Sequence, residues 1–584
     1  MTVEQHRSQP PTVPTGPGVD LARALESVVP AEVLAEVDPA LWGRTVVQVA
    51  QGLATHPADV GRVVAGHAAL AARIGTATVA RVFGSSADGP VPIEKDGRFK
   101  DPTWEENPAY WGLRQQYLAL VATLHDLVDA AGLDESSHER ALLLADVLSS
   151  VLSPTNLLPG NPSALKRAFE TGGSSVVSGF RQMLDDLATN QGRPQQVDRT
   201  SLRVGQELAA TPGKVVYRNR LMELIQFEAQ TDEVHEIPIL VSPPWINKYY
   251  VMDLAPGRSF LEWAVQHGHT VFVISYRDPD ESMADTGLDD YLELGDLAAL
   301  DVVQEITGAE TVNLVGLCLG GLMATIATAM LTARGEGERI NSLTLQNTLL
   351  DYSDPGPVAS FVDPEIVERL ERKMAKTGYL PSESMAGTFD LLRANDLIFN
   401  YVGPNWLEGK APPAFDILAW NADSTRMPAK MHAFYLRHFY LQNELARGEL
   451  ELLGEHLSLK AITNDTFIVG AVNDHIAPWK TSFTSTGLLG GDVTFTLSNG
   501  GHIAGVVNPP GKKAKHWIGT VGGSSAPDAE TWLQRASEVQ GSWWEPWRDW
   551  IGERAGGMRT PPSVGSEAHP PLGDAPGSYV LGTG

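Results

Sequence analysis

The run Gly316-Leu317-Cys318-Leu319-Gly320-Gly321 constrains this chain more than any other feature of it. Its pattern is glycine, spacer, nucleophile, spacer, glycine, set between an expected strand and an expected helix. A chain that turns so sharply from strand into helix accepts only small flanking residues, and Gly316 and Gly320 meet that demand. The turn lifts the Cys318 side chain off the sheet and sets its sulfur near a helix N-terminus, where partial positive charge favours thiolate. A lone cysteine is by default a small buried hydrophobe. The glycine spacing here points to a nucleophile instead.

The rest of the chain supplies a sheet for that elbow. Residues 237–241, 270–274, 311–315, 343–345, 467–472 and 493–497 are short apolar, β-branched runs separated by helical stretches. Fully apolar strands alternating with helices predict a parallel sheet covered on both faces. Elbow and sheet together predict an α/β-hydrolase fold over residues 200–584. The alternation lapses between about 351 and 464, an aromatic-rich interval that includes Phe399, Tyr401, Trp406, Trp420, Tyr435 and Tyr440. It is expected to be a cap insertion. Residues 20–188 carry apolar positions at three- and four-residue spacing, which predicts a mostly helical N-terminal domain. Residues 189–199 read as a linker, and residues 1–19 as a disordered tail lacking the apolar core of a secretory signal. Four tryptophans within residues 543–550 are expected to pack, and the Pro- and Gly-rich stretch beyond Met558 to be irregular.

Charge and composition exclude several functions. A net charge of −27 argues against a nucleic-acid partner. The single cysteine forbids an internal disulfide and suits a reducing cytoplasm. Residues 311–333 carry no charge and are long enough to span a bilayer. The elbow in their middle predicts a buried strand and helix, so no transmembrane segment is expected. The 15 histidines are scattered and no cysteine pair exists, so neither a metal nor a cofactor is expected.

A thiol nucleophile needs a base, and the base needs an orienting group. In this fold the chain order is nucleophile, acid, histidine, with the last two on loops after late strands. Asp474 follows the expected strand 467–472, and His502 follows the next one behind Gly500-Gly501. His475 competes with His502, but its place beside Asp474 suits a supporting hydrogen-bond partner better. For the oxyanion hole, one donor is expected at the N–H of Leu319, directly after the nucleophile. The second is expected from residues 242–248, where Pro243 and Pro244 have no N–H and Trp245 is favoured. The choice of sulfur is informative. A thiolate that takes an acyl group from a thioester makes another thioester, which keeps the acyl group activated for transfer to an alcohol.

These stretches resemble the polyhydroxyalkanoate synthases from about Pro154 to the end. The resemblance rests on Gly316-Leu317-Cys318-Leu319-Gly320-Gly321, on Pro243-Pro244-Trp245-Ile246-Asn247-Lys248-Tyr249-Tyr250 and on Ser275-Tyr276-Arg277-Asp278-Pro279-Asp280. It continues through Phe415-Asp416-Ile417-Leu418-Ala419-Trp420-Asn421, Asp474-His475-Ile476-Ala477-Pro478-Trp479 and Gly501-His502-Ile503-Ala504-Gly505. It implies that Cys318, Asp474 and His502 form the triad, and that the chain resembles the single-subunit synthases. The implied reaction joins (R)-3-hydroxyacyl-CoA monomers, short-chain ones by the overall layout, into a polyester and releases CoA. CoA is then only the leaving group. The resemblance further implies a homodimer on cytoplasmic polymer granules, in contact with the growing chain and with granule surface proteins. Whether Asp474 or His502 deprotonates the attacking hydroxyl stays open. A cysteine-dependent acyl-CoA thioesterase of the same fold is the alternative.

Overall fold

The computed structural model describes residues 39–583 apart from 86–87, 94–95, 191, 199 and 522–527. The tail expected at 1–19 lies outside the described residues. The chain forms two compact units, one from the N-terminal region to Gln196 joined by Gly387–Ala411, the other from Val197–Ala386 and Pro412–Gly584.

The first unit is helical. Its long helices are Pro39–Thr55, Pro57–Val82, Pro108–Ala130, Glu135–Val151 and Ser174–Thr189. Asn107, Asp134 and Asn161 start helices by accepting N–H groups that have no partner within the helix. Phe99, Trp104 and Tyr117 form one buried knot, with the Phe99 and Trp104 rings edge to face at 4.8 Å. Helix Pro57–Val82 is long and apolar enough to cross a bilayer, a property the sequence reading passed over. In the structure it packs against Pro108–Ala130 inside this unit.

The interval 351–464 is not one body. The polypeptide leaves the second unit at Ala386 and returns at Pro412, and the stretch between packs with the N-terminal helices. Trp406 Nε1 donates to Asp186 Oδ2 at 2.7 Å, and Asn405 Nδ2 donates to the Gln195 carbonyl at 2.6 Å. Phe399, Tyr401 and Trp406 therefore serve the helical unit, while Trp420, Tyr435 and Tyr440 stay with the sheet.

The second unit is built on an eleven-stranded sheet. We number its strands β1 (Gly213–Arg218), β2 (Met222–Phe227), β3 (Ile239–Ser242), β4 (Val271–Tyr276), β5 (Val312–Leu317), β6 (Ile340–Gln346), β7 (Asp465–Ala471), β8 (Val493–Ser498), β9 (Lys515–Val521), β10 (Ser537–Gln540) and β11 (Gly573–Asp574). The spatial order is β10-β9-β8-β7-β6-β5-β3-β4-β2-β1-β11. The six strands from β3 to β8 are parallel, and they are the six apolar runs legible in the sequence. The antiparallel flanks are new. β10 is exposed along its whole length, so no apolar pattern marks it, and β11 comes from the tail expected to be irregular. Residues 311–333 form β5 and the buried helix Leu319–Ala333.

The sheet also buries a titratable group far from any charged partner. His269 is 1% exposed, stacks on His235 at 4.6 Å, and among the described residues has no hydrogen-bond partner on either ring nitrogen. Burial, with His235 and His267 nearby, pulls it down to about 3. The unfolded chain therefore binds one more proton than the native protein between pH 6.5 and 3, and stability falls as pH drops through that window. The loss approaches about 5 kcal/mol once the pH has fallen to 3. His269→Phe should flatten this acid limb, read as the slope of unfolding free energy against pH from urea melts at pH 7, 5 and 4. Parallel slopes for both proteins would refute it.

Candidate active site

The elbow has the geometry its glycines require. Cys318 sits at φ 52° and ψ −118°, a region costly for a residue with a Cβ and kept only where surroundings enforce it. Its N–H donates to the Gln346 carbonyl at 2.8 Å, continuing the β5–β6 ladder by one residue. A Cβ at Gly320 would overlap the Ser242 carbonyl oxygen, and one at Gly316 would overlap the Gly321 backbone. The turn thus lies pressed between the end of β3 and the first turn of helix Leu319–Ala333.

Asp474 and His502 arrive from the ends of β7 and β8. His502 Nδ1 lies 2.7 Å from Asp474 Oδ2, and both side chains are buried. The other carboxylate oxygen accepts the N–H groups of Ile476 at 2.9 Å and Ala477 at 2.8 Å, which fixes the carboxylate plane. Cys318 lies close enough to the imidazole for its charge and hydrogen-bonding capacity to act on it. Burial pushes His502 down, but the charges and hydrogen bonds of Asp474 and Cys318 outweigh it and raise it well above its ordinary value. Such a site favours the imidazolium. His475 is half-buried in the turn next to Asp474.

The expected oxyanion donors lie on segments that adjoin this turn, since Gly320 packs against Ser242 and Pro243. Leu319 is the first residue of its helix, so its N–H has no intrahelical acceptor. The loop after β3 offers the N–H groups of Trp245 and Ile246, which find no backbone acceptor among the described residues either.

Three tyrosines escaped the sequence reading as site residues. Tyr352 and Tyr435 are buried, Tyr440 is half-buried, and the hydroxyls of all three feel the charge of Cys318. Burial drives all three well up from the ordinary tyrosine value, so these groups stay neutral donors. The Tyr352 and Tyr435 hydroxyls lie 3.4 Å apart, and Tyr435 meets the Trp245 ring edge to face at 5.9 Å. Aromatic density in 351–464 was the only available signal. It could not say which rings turn toward the nucleophile.

Two further sets of residues hold His502. Asn347, at φ 45°, donates from Nδ2 to the His502 carbonyl. Trp543 Nε1 donates to the Gly505 carbonyl at 2.7 Å and Trp544 Nε1 to the Val506 carbonyl at 2.9 Å. Gly505 and Val506 end the short helix His502–Val506, so the tryptophan cluster pins the element that carries the imidazole. Trp543→Phe removes one such bond and leaves a buried carbonyl unpaired. It should lower stability by about 2 kcal/mol, visible as a reduced melting temperature, and a melting temperature equal to the wild type would contradict this role.

Comparison with known proteins agrees with the geometry. Residues 95–264 match the family model described as poly-beta-hydroxybutyrate polymerase (PhaC) N-terminus, and residues 245–509 match the alpha/beta hydrolase fold. The chain is 40% identical over 508 residues to the poly(3-hydroxyalkanoate) polymerase subunit PhaC of Rhizobium meliloti, a match covering 86% of this chain and 82% of that one. It is 41% identical over 491 residues to poly(3-hydroxyalkanoate) polymerase 2 of Ectopseudomonas oleovorans, covering 84% and 87%. It is 39% identical over 505 residues to the PhaC subunit of Cupriavidus necator, covering 85% and 84%. Identity at this level, sustained over most of both chains, shows that the protein belongs to the poly(3-hydroxyalkanoate) polymerases, acyltransferases that make polyesters on an α/β-hydrolase fold.

Proposed function

We propose that the enzyme joins (R)-3-hydroxyacyl-CoA monomers, with short-chain monomers such as 3-hydroxybutyryl-CoA preferred, through an acyl group carried on Cys318. The observation that carries this reading is the thiol on a positive-φ turn, close to an imidazole that a buried carboxylate holds from behind. The Cys318 thiolate attacks the thioester carbonyl, and the oxygen takes negative charge facing the N–H of Leu319 and of the loop after β3. CoA leaves with the proton that the His502 imidazolium gives up, and the acyl group stays on sulfur. The 3-hydroxyl of an incoming monomer then attacks that acyl group. His502, oriented by Asp474, takes the hydroxyl proton and returns it to the departing Cys318 sulfur. The new oxoester carries a CoA thioester at its end, which can acylate Cys318 again.

Aromatic side chains support transfer over hydrolysis. Tyr352, Tyr435 and Tyr440 lie within reach of the Cys318 charge, and an aromatic site of this kind disfavours a competing water. We assign the enzyme to the surface of cytoplasmic polymer granules as a homodimer, on the strength of its family resemblance.

The test supplies (R)-3-hydroxybutyryl-CoA and compares the CoA released with acyl groups recovered as insoluble polyester or as free acid. Polyester accounting for nearly all the CoA supports the synthase. Free acid in equal amount would make the protein a thioesterase.

A further inference from the structure

Beneath the loop that offers Trp245 lies a buried polar group that the proposed chemistry does not use. Asp296 is 2% exposed and belongs to the widened helical turn Leu292–Leu297. Such turns break the ordinary helix ladder and recur at functional sites. Tyr276, the last residue of β4, donates from its hydroxyl to Asp296 Oδ2 at 3.3 Å. The other oxygen, Oδ1, has no hydrogen-bond partner among the described residues. Beside it stands the Ser242 hydroxyl, also buried and also without a well-formed hydrogen bond. Ser242 is the last residue of β3, its carbonyl presses on Gly320, and the next five residues are the loop 243–247.

No cation among the described residues faces Asp296. The titratable groups facing it are Tyr276 from β4 and Tyr291 from the preceding turn, which packs on Tyr276 at 5.1 Å. Tyr291 in turn feels the carboxylates of Asp278 and Asp290. Helix Leu319–Ala333, packed on the same turn, carries no titratable side chain. Glu293 on the turn itself is exposed. A carboxyl so placed is stable only when neutral, and as a neutral acid it has one proton to donate toward Ser242.

We propose that Asp296 is a positioning residue for acyl transfer: as a neutral acid it ties Ser242 and Tyr276 together under the oxyanion loop, and as a carboxylate it opposes the charge forming there. The assignment rests on the acyl-transfer reading of Cys318. Burial raises Asp296 to about 7, so the switch falls at neutral pH. Below that pH the loop stands on a neutral hydrogen-bonded base. Above it a negative charge sits behind the donors that must stabilise a developing oxyanion.

The experiment follows kcat/KM for CoA release from (R)-3-hydroxybutyryl-CoA between pH 6.5 and 9, for wild type, Asp296→Asn and Tyr276→Phe. Melting curves at each pH report folding. The wild type should lose about tenfold between pH 7 and 9 relative to Asp296→Asn, which carries no ionisable group there. Tyr276→Phe removes a donor that favours the carboxylate, so its alkaline limb should move to higher pH. Packing alone would move neither limb. If Asp296→Asn fails to fold, the direction of the Tyr276→Phe shift decides: an upward shift supports the assignment and an unmoved limb overturns it. The two readings fail separately. Wild type that acylates Cys318 but makes acid overturns the synthase and leaves these profiles measurable. Polymer formation with superimposable profiles overturns Asp296.

Discussion

If the acyl group is carried on Cys318 as proposed, Cys318→Ala should abolish polymer formation and CoA release, with a loss of at least about 10⁴-fold. Cys318 is the only thiol in the sequence, so no neighbouring cysteine can substitute. The fold should survive. Alanine is smaller than cysteine, and the positive φ at this position is enforced by the ladder bond to Gln346 and by the close approach of Ser242 and Gly320. Cys318→Ser is the more discriminating variant, since it keeps shape and hydrogen-bonding capacity. Its acyl product is an oxoester, so acylation by a thioester runs downhill and transfer to another alcohol gains little. The serine enzyme should release at most about one CoA per site and then stall. Sustained polymerisation by the serine enzyme would show that the chemistry does not need sulfur at this position. A circular dichroism spectrum equal to the wild type confirms that either variant is folded.

Asp474→Asn should cost about a thousandfold in kcat with little change in stability. Oδ1 of Asp474 accepts two backbone N–H groups, and an asparagine would keep its oxygen there. Its amide nitrogen would then face His502 Nδ1 and donate to it. The imidazole would have to carry its proton on Nε2, pointed at Cys318, where a base is needed. The charge that helps raise His502 would vanish as well. The imidazolium should therefore form less readily, and alkylation of Cys318 by iodoacetamide at pH 7 should slow by a similar factor. An alkylation rate equal to the wild type, with reduced turnover, would place the role of Asp474 in the transfer step alone.

The parts of this protein legible in its sequence are those where one physical demand fixes the residue type. A turn at positive φ with backbone pressed against it demands glycines at 316 and 320. Strands buried on both faces demand continuous apolar runs, and all six parallel strands announced themselves that way. Asp474 and His502, which the structure brings together, could be singled out because each follows such a strand. What stayed hidden depends on distant partners. β10, with Ser537 and Glu538 facing solvent, has no pattern to read. Nothing local distinguishes Trp406, which bonds Asp186 in the helical unit, from Trp420, which bonds the Lys248 carbonyl beside the sheet. Asn347 and Trp543 hold His502 through backbone carbonyls, which any residue can offer. Asp296 looks like an ordinary helix-surface acid until the structure shows it buried.

Acyl transfer through Cys318 is tested most directly by the mass of the protein itself. Enzyme mixed for seconds with (R)-3-hydroxybutyryl-CoA, quenched in acid and digested, should yield the peptide containing Cys318 with added mass in steps of one hydroxybutyryl unit. The adduct should be lost on treatment with hydroxylamine, as a thioester is, and absent from Cys318→Ala. CoA release with an unmodified Cys318 peptide, or polymer made by Cys318→Ala, would contradict acyl transfer through this thiol.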